Sequence, residues 1–203
     1  MHPNPFQQTR FLLSVDDPRD LPSDDGTEVA IIGRSNVGKS SLLNMLCAQK
    51  SLARVSRTPG RTQQIVVFEV AARQRFLDLP GFGYAAVSRE RRANWEVNLP
   101  TLLEERAALR GLLLVADARM PLKAEELQLL GWCAMSCMPC VLALNKVDKL
   151  GNAAARAALR AAELNLANIT GLECTAILSS VTRRDGLEAL RQRLLAMLRV
   201  NSI

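Results

Sequence analysis

The sequence predicts a three-layer α/β fold: a mostly parallel six-stranded sheet with one antiparallel strand pair and helices on both faces. Three observations carry this. Apolar, β-rich runs alternate with segments of helical spacing from Glu28 to Arg199. Two of the runs, Leu112 to Ala116 and Pro139 to Leu144, are unbroken, as expected of strands buried on both faces. Two others are separated only by Ala71 to Arg73, a gap that suits a hairpin.

The elements follow in order. Residues 1–26 form an N-terminal arm and linker, because Asp16 to Thr27 is rich in Asp, Pro and Ser; residues 27–200 form one domain. Glu28 to Ile32 is the first strand and stops at Gly33. Lys39 to Cys47 is helical, with Leu42, Leu43 and Leu46 on one side. Gln64 to Val70 and Gln74 to Leu79 are the adjacent strands. A helix over Trp95 to Arg110 places Leu99, Leu102, Leu103 and Ala107 together. The strand Leu112 to Ala116, the helix Lys123 to Met135 and the strand Pro139 to Leu144 come next. An Ala-rich helix from Ala153 to Leu166, a strand from Thr175 to Ser179 and a helix from Leu187 to Arg199 complete the chain.

Composition narrows the function classes. The 203 residues are 48% hydrophobic and 23% charged, which excludes a wholly disordered chain. No apolar run approaches the roughly 18 residues of a membrane span, and Met1 to Arg10 shows no secretory pattern. Five cysteines, an odd number, fit reduced thiols in a cytoplasm. The formal charge is +6, carried by 21 Arg and 5 Lys against 20 acidic residues. Such a surplus suits a phosphate-rich partner, although charge speaks to partners and not to fold.

Gly33, Arg34, Ser35, Asn36, Val37, Gly38, Lys39 and Ser40 match G-x-x-x-x-G-K-[ST] between a predicted strand and a predicted helix. The glycines let successive N–H groups face phosphate oxygens, and the helix N-terminus adds partial positive charge. Lys39 can reach the β- and γ-phosphates, and Ser40 can ligate Mg²⁺. Asp78, Leu79, Pro80 and Gly81 lie at a strand end, where Asp78 can hold Mg²⁺ through water and the Gly81 N–H can sense a γ-phosphate. Asn145, Lys146, Val147 and Asp148 follow another strand end. The Asp148 carboxylate can accept from guanine's N1–H and exocyclic amine, which adenine cannot offer. The stem of Lys146 can lie over the base or ribose. Leu178, Ser179 and Ser180 can supply backbone N–H groups to the guanine carbonyl.

These four elements look like a GTPase of the translation-factor-related class. The segments Gly33 to Asn44, Arg57-Thr-Pro-Gly-Arg-Thr-Gln63, Asp78 to Ala85, Trp95 and Asp117-Ala-Arg-Met-Pro121 resemble the EngB family of bacterial ribosome-biogenesis GTP-binding proteins, from about Phe11 to Leu198. The family's guanine motif usually reads Thr-Lys-x-Asp; here Asn145 stands first, the general GTPase form. The resemblance implies a Ras-like G domain of the P-loop NTPase type, a monomer that binds GTP or GDP with Mg²⁺. It makes Thr62 the switch threonine that closes on Mg²⁺, and places Gly60, Arg61, Gln63 and Gln64 beside the nucleotide. Lys39, Thr62 and Gly81 are the expected catalytic set. Phe82 stands where many GTPases carry a water-positioning Gln, so slow intrinsic hydrolysis is expected. Asn36 occupies the position that coordinates K⁺ in related potassium-activated GTPases. The resemblance further implies a switch in 50S subunit assembly, needed for normal cell division and septation.

Other residues have plainer readings. Cys137-Met-Pro-Cys140, with Cys133, has redox or metal spacing, but no second Cys pair or nearby His completes a site, so packing is the better account. Trp95 and Trp132 read as helix-face core residues. Arg54, Arg57 and Arg61, then Arg89, Arg91 and Arg92, lie in the two switch segments and suit nucleotide-gated contact with rRNA. Two rivals stand beside the GTPase. One is a P-loop ATPase or small-molecule kinase, disfavoured by Asn145 to Asp148. The other is a nucleotide-regulated RNA-binding module with little or no catalysis.

Overall fold

A computed structural model describes residues 4–53, 64–82 and 99–199. Arg54, Arg57, Gly60, Arg61, Thr62, Gln63, Arg89, Arg91, Arg92 and Trp95 lie outside the described residues. The strands are β1 (Arg10–Val15), β2 (Thr27–Gly33), β3 (Ile65–Ala71), β4 (Gln74–Asp78), β5 (Leu109–Asp117), β6 (Cys140–Asn145) and β7 (Cys174–Leu178). The helices are α1 (Lys39–Leu46), α2 (residues 99–105), α3 (Ala124–Met135), α4 (Asn152–Ala167) and α5 (Leu187–Leu198).

The sheet order is β1-β3-β4-β2-β5-β6-β7. β3 is antiparallel to both its neighbours, and all other pairs are parallel. The predicted α/β class therefore holds, with a correction: the sheet has seven strands, not six. The extra strand is β1, which lies in the stretch read as an arm. It is an edge strand whose pairing with β3 slips between Phe11 and Leu13, and Phe11 is 57% exposed. An interrupted, half-exposed strand shows no period-two signal.

Each strand divides its side chains between two apolar layers. On β5, Leu112, Leu114 and Ala116 face α2, α3 and α4, while Leu113 and Val115 face α1 and α5. The helices supply matching stripes: Leu187, Leu190, Leu194 and Leu198 on α5, and Ala155, Ala162 and Leu166 on α4. Phe6 completes the second layer, fully buried and edge-on to Phe76 at 5.0 Å. The helix predicted to run to Arg110 ends earlier, at residue 105. The carboxylate of Asp24 accepts from the N–H groups of Ala107 and Ala108, and β5 begins at Leu109.

This packing gathers chemistry at one edge. β2, β4, β5, β6 and β7 all point the same way, so Gly33, Asp78, Asp117, Asn145 and Leu178 lie along the carboxyl ends of the parallel strands. That edge is where open α/β sheets bind ligands.

Candidate nucleotide site

The phosphate loop starts where β2 is buried along its whole length. A Cβ on Gly33 would meet the Val115 carbonyl oxygen at 2.3 Å, so no side chain fits there. Asn36 (φ +67°) and Gly38 (φ +95°) turn the chain back, and Gly38 caps the start of α1. Lys39 and Ser40 then occupy the first turn of α1. The far end of α1 is anchored by Arg191, whose Nε and Nη2 donate to the Leu46 and Met45 carbonyls, and by the Asn4 amide, which donates to Leu46.

The second motif is fastened onto the first. The Ser35 N–H donates to the Phe82 carbonyl at 3.2 Å, and the Phe82 N–H donates to the Gly33 carbonyl at 3.3 Å. The Lys39 ammonium is paired with the Asp78 carboxylate, and both side chains are nearly buried. Arg34 reaches the other way, 3.1 Å from Glu125 on α3. Leu79 is buried and donates its N–H to Ile31; Pro80 and Gly81 complete the turn. Gln64 bonds Asp16 at 3.1 Å just before β3.

The third motif sits directly above the phosphate loop. The Asn145 amide donates to the Val37 carbonyl at 2.9 Å, and a Cβ on Gly38 would meet that same amide nitrogen at 2.6 Å. Lys146, held at φ +65°, donates to the Asn36 carbonyl at 2.5 Å and lies 3.1 Å from the Asp117 carboxylate. Val147 is buried and donates its N–H to Ser179. Asp148 accepts from the Ser180 hydroxyl at 2.8 Å. That bond, reinforced by Lys149, holds the Asp148 carboxyl below its ordinary range.

The last strand end contributes differently from expectation. The N–H of Ser179 is bonded to Leu144 and that of Ser180 to Asp185. What this end offers is the Ser180 hydroxyl, which aims Asp148 and also accepts from the Arg183 N–H. Two buried polar atoms at this level, Asn145 Oδ1 and Ser179 Oγ, have no protein partner. Orphans of this kind, beside a carboxylate aimed by a hydroxyl, suit a polar planar ligand such as a purine.

Reading along the sequence missed Asn44. This buried residue donates to the Ala53 carbonyl at 2.9 Å and accepts from the Ala53 N–H at 2.7 Å, tying α1 to the chain that leads into residues 54–63. A polar residue within the Leu42-Leu43-Leu46 stripe is the only local signal. The oxygen donors Ser40 and Asp78 fit a hard cation such as Mg²⁺. Among the described residues no group of three His, Cys, Asp or Glu could hold a metal. Cys133 and Cys140 are buried in the core and Cys137 is exposed. Trp132 packs against the same core layer.

The chain is similar to known GTP-binding proteins. Residues 28–146 match the family model described as 50S ribosome-binding GTPase. The chain is 46% identical over 189 residues to the probable GTP-binding protein EngB of Escherichia coli strain K12, covering 93% of this chain and 90% of that one. A crystal structure of a probable GTP-binding protein EngB superimposes with a TM-score of 0.67 at 22% identity, over 85% of this chain and 99% of that one. Era, in complex with MgGDPNP and nucleotides 1506–1542 of 16S ribosomal RNA, superimposes at 0.65 with 24% identity, over 87% of this chain and 58% of that one. At those identities the two structures speak to the fold.

Proposed function

The chain belongs to the EngB family of GTP-binding proteins, and from that premise we propose that it binds GTP at the sheet edge and hydrolyses it slowly to GDP and phosphate, as a switch in large-subunit assembly. One observation carries the reading. Asn145 and Lys146 are bonded to the Val37 and Asn36 carbonyls, so base-reading and phosphate-reading motifs are one rigid unit.

In this reading the phosphates lie in the cradle from Gly33 to Ser40, and Lys39 turns from Asp78 to the β- and γ-oxygens. Ser40 and Asp78 would hold Mg²⁺ together with Thr62, which lies outside the described residues, and the ion would supply positive charge beside the transferred phosphoryl group. The Gly81 N–H reports the γ-phosphate. Asp148, kept ionised and aimed by Ser180, accepts two bonds from guanine. Because the N–H groups of Ser179 and Ser180 are engaged, this strand end acts on the base through the Ser180 hydroxyl that aims Asp148.

Hydrolysis is slow because Phe82 cannot orient water. Its backbone is bonded to the phosphate loop, and its ring packs against the core. The arginines at 54, 57, 61, 89, 91 and 92 suit a nucleotide-gated rRNA contact on the 50S subunit or its precursors. A role in cell division would follow from assembly failure. No helix of the described residues is long and apolar enough to cross a membrane.

Isothermal titration with GDP, GTP and ATP tests the base site: guanine nucleotides bind and ATP does not, and equal binding of ATP rejects the reading. Sedimentation with 50S particles across a salt series tests the partner. Binding that depends on GTP over GDP and weakens steeply with salt is the expected outcome. Nucleotide-dependent binding without measurable turnover would favour the RNA-binding module.

A further inference from the structure

We propose that Asp117 is a positioning residue for the nucleotide: its carboxylate holds the Lys146 ammonium above the phosphate loop, and so sets how long the bound nucleotide stays. This inference rests on the base-site reading above. Asp117 ends β5 and lies in register with Asn145 at the end of β6. Its carboxylate, 12% exposed, is gripped from two sides. Arg119 donates through its backbone N–H at 3.1 Å, through Nε at 2.9 Å and through Nη2 at 2.7 Å. Lys146 Nζ approaches the outer oxygen at 3.1 Å.

The ammonium thus bridges a fixed carboxylate and the Asn36 carbonyl at 2.5 Å. The stem between them passes over Gly38, with Cε 3.9 Å from where a Cβ there would stand. A lysine side chain has several rotatable bonds, and order along it must be enforced from its end. The Asn36 carbonyl can accept a bond but brings no charge. Asp117 brings the charge, and the planar fork of Arg119 stops the carboxylate from turning away. Burial alone would raise the Asp117 carboxyl, yet the bonds from Arg119 and Lys146 outweigh burial and keep it ionised far into acid. The rival account is local: Asp117 only braces its own turn with Arg119, and Lys146 stands without it.

A double-mutant cycle separates the two. The release of a fluorescent GDP analogue is followed by stopped flow in the full chain, in Asp117→Asn, in Lys146→Ala and in the double variant. The expected result is about tenfold faster release in each single variant, and no further gain in the double. Release within twofold of the parent in Asp117→Asn overturns the proposal, and so do effects that multiply in the double variant. Should Asp117→Asn melt early, the rise in Tm on adding GDP remains readable: it shrinks if Lys146 has lost its hold, and an undiminished rise overturns the proposal. If the parent protein binds no guanine nucleotide, the base-site reading itself fails; if it binds and only the cycle disagrees, Asp117 alone loses its role.

Discussion

The side-chain amide of Asn145 lies 2.9 Å from the carbonyl oxygen of Val37, joining the end of β6 to the middle of the phosphate loop. Both partners are buried, so the carbonyl has no water to fall back on if the amide is removed. Asn145→Ala should lower the unfolding free energy by about 1–3 kcal/mol. It should also weaken GDP, because the loop loses the strap above Gly38. Urea unfolding and GDP titration of the same variant check both effects; unchanged values for both would remove the bond from the account.

Ser180 shapes the charge of Asp148. Its hydroxyl holds the Asp148 carboxyl below the ordinary carboxylate range, so the ionised form that the proposed guanine contact needs persists into acid. A lowered pKa contributes above the ordinary value and is lost as pH falls through the lowered one. In Ser180→Ala the carboxyl returns toward its ordinary range, and GDP affinity should begin to fall at a higher pH than in the parent. Superimposable pH profiles for the two proteins would mean that Ser180 does not act through this charge.

In the proposed function Asp148 decides which base is taken. A carboxylate accepts from guanine's amine and N1–H; an amide in its place offers a donor to xanthine's carbonyl. Asp148→Asn should shift preference from guanine toward xanthine nucleotides, read by competition between GDP and XDP for the site. Undiminished preference for GDP would place base selection elsewhere.

Much of this could be read along the chain wherever signal and partner are neighbours. β5 and β6 were legible because unbroken apolar runs admit few other fates, and the phosphate loop because its eight residues are contiguous. β1 was not, since an edge strand with a register slip at Phe11 and Leu13 has no period to detect. The early stop of α2 was hidden for another reason: Ala107 and Ala108 are held by Asp24, a residue far back in the chain. Distance in sequence also hid the Ser180–Asp148 bond, which gives that strand end a role other than donating N–H groups.

Asn36 carries a test of cation dependence. It is exposed at φ +67°, and its backbone carbonyl is taken by Lys146, which leaves the side-chain oxygen as its offer to a monovalent cation. A cation there would stabilise charge developing on the phosphates, as an arginine finger does. GTP turnover should be several-fold faster in KCl than in NaCl, and Asn36→Ala should abolish that difference while retaining GDP binding. Equal turnover in the two salts would dismiss the cation.

The opposite end of β2 holds a different kind of charge. Glu28 is fully buried, with Arg75 at 3.1 Å and Arg106 at 2.5 and 2.8 Å. Arg106 follows α2 and also donates to the Pro22 carbonyl, so a single guanidinium fastens the linker, α2 and β2 together. Removing one partner from such a cluster leaves charge in the interior without full compensation, at a cost of about 3–5 kcal/mol. Arg106→Ala should therefore destabilise the protein by about 3 kcal/mol, while the remaining Arg75–Glu28 pair preserves the fold. Glu28 and Gly33 are five residues apart along one strand, about 17 Å at the rise of a parallel sheet. GDP affinity below the melting range should then stay within twofold of the parent. A large loss of affinity with little loss of stability would show instead that this distant cluster, through α2, governs the nucleotide site.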